Sequence, residues 1–142
     1  MSKKLRKIIA FIILLFVFVA FFLAYKFANK SHVDISKTSA EIAINASVLF
    51  DEFLNDEISA NNKYLDKIIQ VNGKIISNKN FEGKGVIELE SNNDFGSVLC
   101  HFSPKSSKKI QQFKIRQNVE IKGICTGFLM DVILVKCEIT NQ

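Results

Sequence analysis

Lys67–Ile76 reads KIIQVNGKII, and the period of its apolar residues decides the fold. Ile69, Val71, Gly73 and Ile75 share one side, the alternation of a half-buried strand. Four further segments repeat it. Gly85–Ser91 (GVIELES) sets Ile87 and Leu89 opposite Glu88 and Glu90, and Gly96–Phe102 (GSVLCHF) sets Val98, Cys100 and Phe102 opposite Ser97, Leu99 and His101. Val119–Cys125 (VEIKGIC) and Val132–Ile139 (VILVKCEI) complete the set. Pro104 ends the third strand, and residues 105–113, with Lys108, Ile110 and Phe113, fit a short helix or turn.

Five strands with a helical insert between the third and the fourth match an OB-fold barrel, which closes its own edges and is stable at about 80 residues. Upstream, Thr38 and Glu41 form a capping box, and Ile42, Ala46, Leu49, Phe50, Phe53 and Leu54 recur at helical spacing, so residues 38–62 read as an amphipathic helical segment. The barrel domain then covers residues 63–142.

From Ile8 to Tyr25 run eighteen residues, IIAFIILLFVFVAFFLAY, without a charge, Pro or Gly, and counting on to Phe27 gives twenty. About 20 apolar helical residues span the hydrocarbon of a bilayer. A buried soluble helix would need a polar stripe or a core that the other residues could hardly supply. A cleaved signal peptide would have a shorter apolar region and small residues spaced A-x-A, whereas Phe22 precedes Ala24 and Lys26 precedes Ala28. No Cys lies there for lipoprotein processing. Residues 8–27 are therefore expected to be an uncleaved transmembrane signal anchor, with 1–7 a basic cytoplasmic flank and 28–37 a linker. Lys3, Lys4, Arg6 and Lys7 precede the span and Lys26 and Lys30 follow its core, so the positive-inside rule puts the barrel outside the cytoplasm. A bacterial inner membrane with a periplasmic domain is the expected setting. The fold class is thus mainly β with α: a transmembrane helix, an amphipathic helix and a five-stranded OB barrel.

The formal charge of +5 divides along the chain. Residues 1–30 carry +6, residues 31–62 carry −5 and residues 63–142 carry +4. The first is a topology signal. A solvated acidic helix face, or its contact with the basic barrel, is the expectation for the other two.

The run Leu49-Phe50-Asp51-Glu52-Phe53-Leu54-Asn55-Asp56-Glu57, continuing through Ala60–Lys67 to Val71-Asn72-Gly73-Lys74, resembles the opening of the bacterial tRNA_anti-like OB-fold family. Val119–Gly127 (VEIKGICTG), Asp131-Val132 and Cys137 resemble its ending. The resemblance covers about residues 45–140 and implies an OB fold, often exported or membrane-attached. It implies no particular activity.

The outer face of the second and third strands is the usual OB ligand surface, together with the loops joining strands one to two and four to five. Its candidates are Glu88, Glu90, Ser97, Leu99 and His101, with Phe81 on the loop Asn80–Gly85 and Phe128, Leu129 and Met130 on the later turn. Phe81 either contacts a ligand or folds back, and the three turn residues are expected to plug the barrel end. No aromatic stands among the five strand candidates, and two are acids, which argues against stacked bases over a positive groove. Lys105, Lys108, Lys109, Lys114 and Arg116 form a basic patch in the insert, read as a solvated face or a site for phosphate or anionic lipid. Cys137 neighbours both Cys100 and Cys125 in an OB barrel and could form a disulfide with either; otherwise all three are small buried hydrophobes. There is no C-x-x-C, His32 lies in the linker, and no serine elbow or paired carboxylates appear, so neither a metal, a cofactor nor an enzyme is expected. The sequence thus points to a membrane-tethered binding module for an envelope protein, peptide or glycan, the alternative being a single-stranded nucleic-acid binder.

Overall fold

The computed structural model describes residues 3–28 and 35–140; His32 lies outside them. Two compact units result, Met1–Val33 and Asp34–Gln142. The first is a single helix, α1 (Lys3–Ala28), whose stretch Lys7–Tyr25 is long and apolar enough to cross a membrane.

The second unit runs β1 (Ile42–Asn45), α2 (Ala46–Asn55), α3 (Glu57–Tyr64), β2 (Ile68–Phe81), β3 (Lys84–Leu89), β4 (Val98–Phe102), α4 (Pro104–Ser107), a 3-10 turn (Ile110–Gln112), β5 (Asn118–Phe128) and β6 (Val132–Ile139). Strand order is β2-β3-β4-β6-β5, and pairing of β5 back to β2 closes the barrel. β4 and β6 are parallel, and the other barrel pairs are antiparallel. This is the OB-fold connectivity expected from the five alternating segments, with the insert between β4 and β5. Inward residues of every strand meet in one core: Ile69, Val71 and Ile75 of β2, Ile87 and Leu89 of β3, Val98 and Cys100 of β4, Ile121 and Cys125 of β5, Leu134 and Cys137 of β6.

The segment 38–62 is not one helix. Glu41 N–H donates to the Ile68 carbonyl (2.9 Å), and Ile42–Asn45 then pairs in parallel with Ile69–Asn72. The cause is an open edge: β3 pairs only with residues 75–81 of β2, which leaves the first half of β2 unpaired on that side, and a β-branched IAIN segment fits there. Thr38 caps no helix; its carbonyl accepts a hydrogen bond from the buried Lys122 Nζ (2.9 Å). Gly73 lets α2 begin close to β2, because a Cβ there would stand 2.9 Å from the Ala46 Cβ.

The helix also breaks at Asp56, which starts α3 by accepting from Ser59 N (3.0 Å) and Ser59 Oγ (2.6 Å). Leu49, Phe50 and Phe53 of α2 and Tyr64 of α3 are fully buried over one end of the barrel. Leu54, expected on the apolar face, is 44% exposed, because within α2 it falls at the edge of the buried stripe of Ala46, Leu49, Phe50 and Phe53.

Lys63 bridges both oxygens of Glu52 (3.0 and 2.9 Å), and Tyr64 donates to Glu52 Oε2 (2.8 Å), tying α3 to α2. The Lys63 hydrogen bond holds the Glu52 carboxyl below its ordinary value, aided by Tyr64 and opposed by partial burial. A carboxyl depressed in the folded state stabilises above its unfolded value, about 4.3, and loses that contribution as pH falls through the folded value. We therefore expect the urea midpoint to fall between neutral pH and pH of about 3 by more in the wild type than in Glu52→Gln. Equal falls would remove Glu52 from the acid response.

Candidate binding face

The outer face of β3, β4 and β6 is built by register. Val86 stands opposite His101, Glu88 opposite Leu99, and Leu99 beside Ile133. Val135 follows two residues after Ile133, and all six side chains are half-buried, the first five between buried neighbours and Val135 between buried Leu134 and exposed Lys136. The result is a shallow aliphatic strip carrying one carboxylate and one imidazole.

Of the expected outer residues, the structure brings Glu88, Leu99 and His101 together on this face. Glu90 lies beyond the end of β3, where its N–H donates to the Lys74 carbonyl and its carboxylate pairs with Lys74 Nζ (3.1 Å). Ser97 is a correction: it precedes β4, is buried, and gives both its N–H (2.7 Å) and its Oγ–H (2.9 Å) to Asp131 Oδ1. That pair of hydrogen bonds between the β3–β4 loop and the β5–β6 turn fixes one end of the face. Asp131→Ala leaves two donors unsatisfied and should cost about 1–3 kcal/mol, read as a lower urea midpoint. A change under about 0.5 kcal/mol would show that the latch is not structural.

The two ends of the face carry exposed apolar side chains. At one end β2 and β3 extend past the barrel to a two-residue turn, Glu82-Gly83, with φ of 50° and 76°. Both lie in the left-handed region, the geometry of a type I′ hairpin. The expected loop Asn80–Gly85 is thus mostly strand, and Phe81 does not fold back: it is 75% exposed. At the other end the β5–β6 turn divides. Phe128 plugs the barrel, stacked on Phe53 (5.9 Å, 22°) and edge-on to Phe50 (5.7 Å, 76°). Leu129 and Met130 do not; they are 79% and 75% exposed. Phe95, 76% exposed, belongs with them, because the backbone at the next residue, Gly96, abuts the Met130 carbonyl.

The sequence reading missed Val86, Phe95, Ile133 and Val135. For the last two a signal was present: VILVKCEI is apolar on both faces over its first four residues, so one apolar face had to lie outward. Phe95 was a lone aromatic in the polar loop SNNDFGS.

Lys105, Lys108, Lys109, Lys114 and Arg116 are all exposed, and among the described residues none is in an ion pair. They lie on the insert after β4, whereas Phe50 of α2 approaches Gly96 just before β4, so the acidic helices and the basic insert occupy opposite ends of the strand. The helix-to-barrel ionic contact expected from the charge balance reduces, among the described residues, to Lys63–Glu52 within the helical pair.

Cys100, Cys125 and Cys137 are free and buried. Cys137 lies within hydrogen-bond reach of Cys100, while Cys125 faces Leu134 across β5 and β6. Burial pushes the Cys137 and Cys125 thiols up, so both are protonated and poor nucleophiles at neutral pH. Among the described residues no His, Cys, Asp and Glu cluster has metal-binding geometry.

Among solved structures the chain is similar to one from Klebsiella pneumoniae subsp. pneumoniae named a "putative nucleic acid-binding lipoprotein": 16% identity over 78% of this chain and 100% of that one, with a TM-score of 0.59. It is also similar to a "putative aspartyl-tRNA synthetase" from Leishmania major Friedlin, 12% identical over 79% of this chain but only 23% of the other, with a TM-score of 0.51. At such identities the likeness is one of fold. No curated protein matches the sequence. The family pattern described as tRNA_anti-like matches residues 1–139, almost the whole length, and the chain belongs to the tRNA_anti-like family.

Proposed function

We propose that the protein is a non-enzymatic OB-fold binding module, held by α1 in a bacterial inner membrane with its barrel in the periplasm, and that its ligand is an extended polypeptide segment of an envelope protein. The observation that carries this reading is the composition of the β3–β4–β6 face. Val86, Leu99, Ile133 and Val135 offer an aliphatic strip, Glu88 a carboxylate for a cationic residue, and Phe81 with Phe95, Leu129 and Met130 an apolar contact at each end. Exposed apolar surface flanked by polar groups is the usual mark of a protein-binding site. A glycan would want Trp, Tyr or Phe at the outward positions of the face, and Val86, Glu88, Leu99, His101, Ile133 and Val135 include none.

A photo-crosslinking residue placed at Leu99 and, separately, at the exposed Ile58 of α3 tests the reading in intact cells. Discrete protein adducts from position 99 and none from 58 are expected; no adducts from 99, or the same adducts from both, would remove the face from the account.

A single-stranded nucleic-acid ligand is the second reading, favoured by the five exposed cations of the insert. Stacking platforms above a positive groove are what such binding uses, and the face carries neither. Fluorescence anisotropy with labelled oligonucleotides at two salt concentrations should find no association through this face. Salt-sensitive binding abolished by Leu99→Glu would favour nucleic acid over polypeptide.

A further inference from the structure

We infer that the basic insert between β4 and β5 is a lipid-contact surface, which lays that end of the barrel on an anionic phospholipid membrane. The inference rests on the proposed anchoring by α1 and adds a second attachment.

Three observations support it. The chain enters the barrel unit at this insert: Ser36, eight residues after the end of α1, lines a cavity of about 150 Å³ with Phe102, Lys105, Ser106, Lys109 and Glu138. Eight residues reach at most about 28 Å, so the insert is among the parts of the barrel nearest in chain length to the bilayer. Residues 103–118 hold five cations and no acid. Glu138, the carboxylate in that cavity, accepts from Ser106 Oγ (3.5 Å) and forms no ion pair with either lysine. Lys109 also lines a cavity with Gln112, Phe113 and Gln117, and Gln117 accepts from Lys114 N–H (3.0 Å), so the positive surface continues along the insert.

The third observation separates lipid from nucleic acid. Ile115, between Lys114 and Arg116, is 60% exposed, and it lines a cavity with Arg116, the partly exposed Ile76 and the Lys74–Glu90 ion pair, whose acid is already neutralised. Arg116, held at φ 72° with its N–H on the Ile75 carbonyl, keeps this loop in place. An exposed aliphatic side chain flanked by cations suits the headgroup boundary of a bilayer, where the charge meets phosphate and the alkyl group enters the acyl region. A base would need an exposed ring, and the one aromatic of the insert, Phe113, is half-buried against the core.

The test uses the full chain in nanodiscs of phosphatidylcholine with and without phosphatidylglycerol, reading amine-modification rates by mass spectrometry. With phosphatidylglycerol, Lys105, Lys108, Lys109 and Lys114 should be modified about fivefold more slowly, and Lys63 on α3 should be unchanged. High salt should reverse the protection. In K105Q/K108Q/K109Q, protection of Lys114 should disappear while the chain stays in the disc. Equal rates in the two discs, or protection that only an added oligonucleotide gives, would overturn the inference. A chain that does not remain in discs of either composition overturns the anchor reading, and this one with it.

Discussion

Replacing Phe50 by Ala should cost about 3–5 kcal/mol, a large share of the 5–15 kcal/mol that holds a typical domain folded. Phe50 is fully buried, meets Phe128 edge-on at 5.7 Å, and its ring lies against Gly96. It therefore joins α2, the β5–β6 turn and the β3–β4 loop. The chain has no Trp and two Tyr, of which Tyr64 is buried in the barrel unit and Tyr25 lies on α1, so circular dichroism with Tyr64 emission follows urea unfolding. The expected result is a midpoint well below that of the wild type, with the exposed control Ile58→Ala nearly unchanged. A loss under about 1 kcal/mol would mean that the helical pair is an appendage and not part of the core.

The second large effect concerns α1. Arginine at the centre of a spanning helix costs about 3 kcal/mol per site. Leu14→Arg with Phe18→Arg therefore opposes insertion by about 6 kcal/mol, enough to reverse it. Both positions lie within Lys7–Tyr25, and both side chains are exposed on the helix. After carbonate extraction the wild type should stay in the membrane pellet and the double variant should move to the supernatant. Retention of the variant would contradict anchoring by this helix.

How much was legible beforehand follows from what each residue answers to. The barrel strands could be read because each alternates between one core and one outside, so Ile69, Ile87, Val98, Ile121 and Leu134 announce themselves locally. β1 could not, because IAIN after a Thr38–Glu41 pair suits a helix start equally well; what decides it is the open edge of β2, more than twenty residues away. The far half of β2 carries no apolar alternation for the opposite reason: NKNF is polar because the hairpin leaves the core, and it is held by Asn78 donating to the Ile110 and Phe113 carbonyls. Ser97 breaks the alternation because β4 starts only at Val98 and Asp131 takes the Ser97 N–H and hydroxyl. The division of Phe128 from Leu129 and Met130 depends on Phe50 and Phe53 arriving from α2, which no local pattern announces.

The proposed partner class, an envelope protein, requires the barrel to lie outside the cytoplasm. A single cysteine introduced by Ser39→Cys is exposed, while Cys100, Cys125 and Cys137 are buried, so a membrane-impermeant thiol label reports on that site alone. Labelling in intact spheroplasts equal to that in lysed cells is the predicted result. Labelling only after lysis would put the barrel in the cytoplasm and contradict the account.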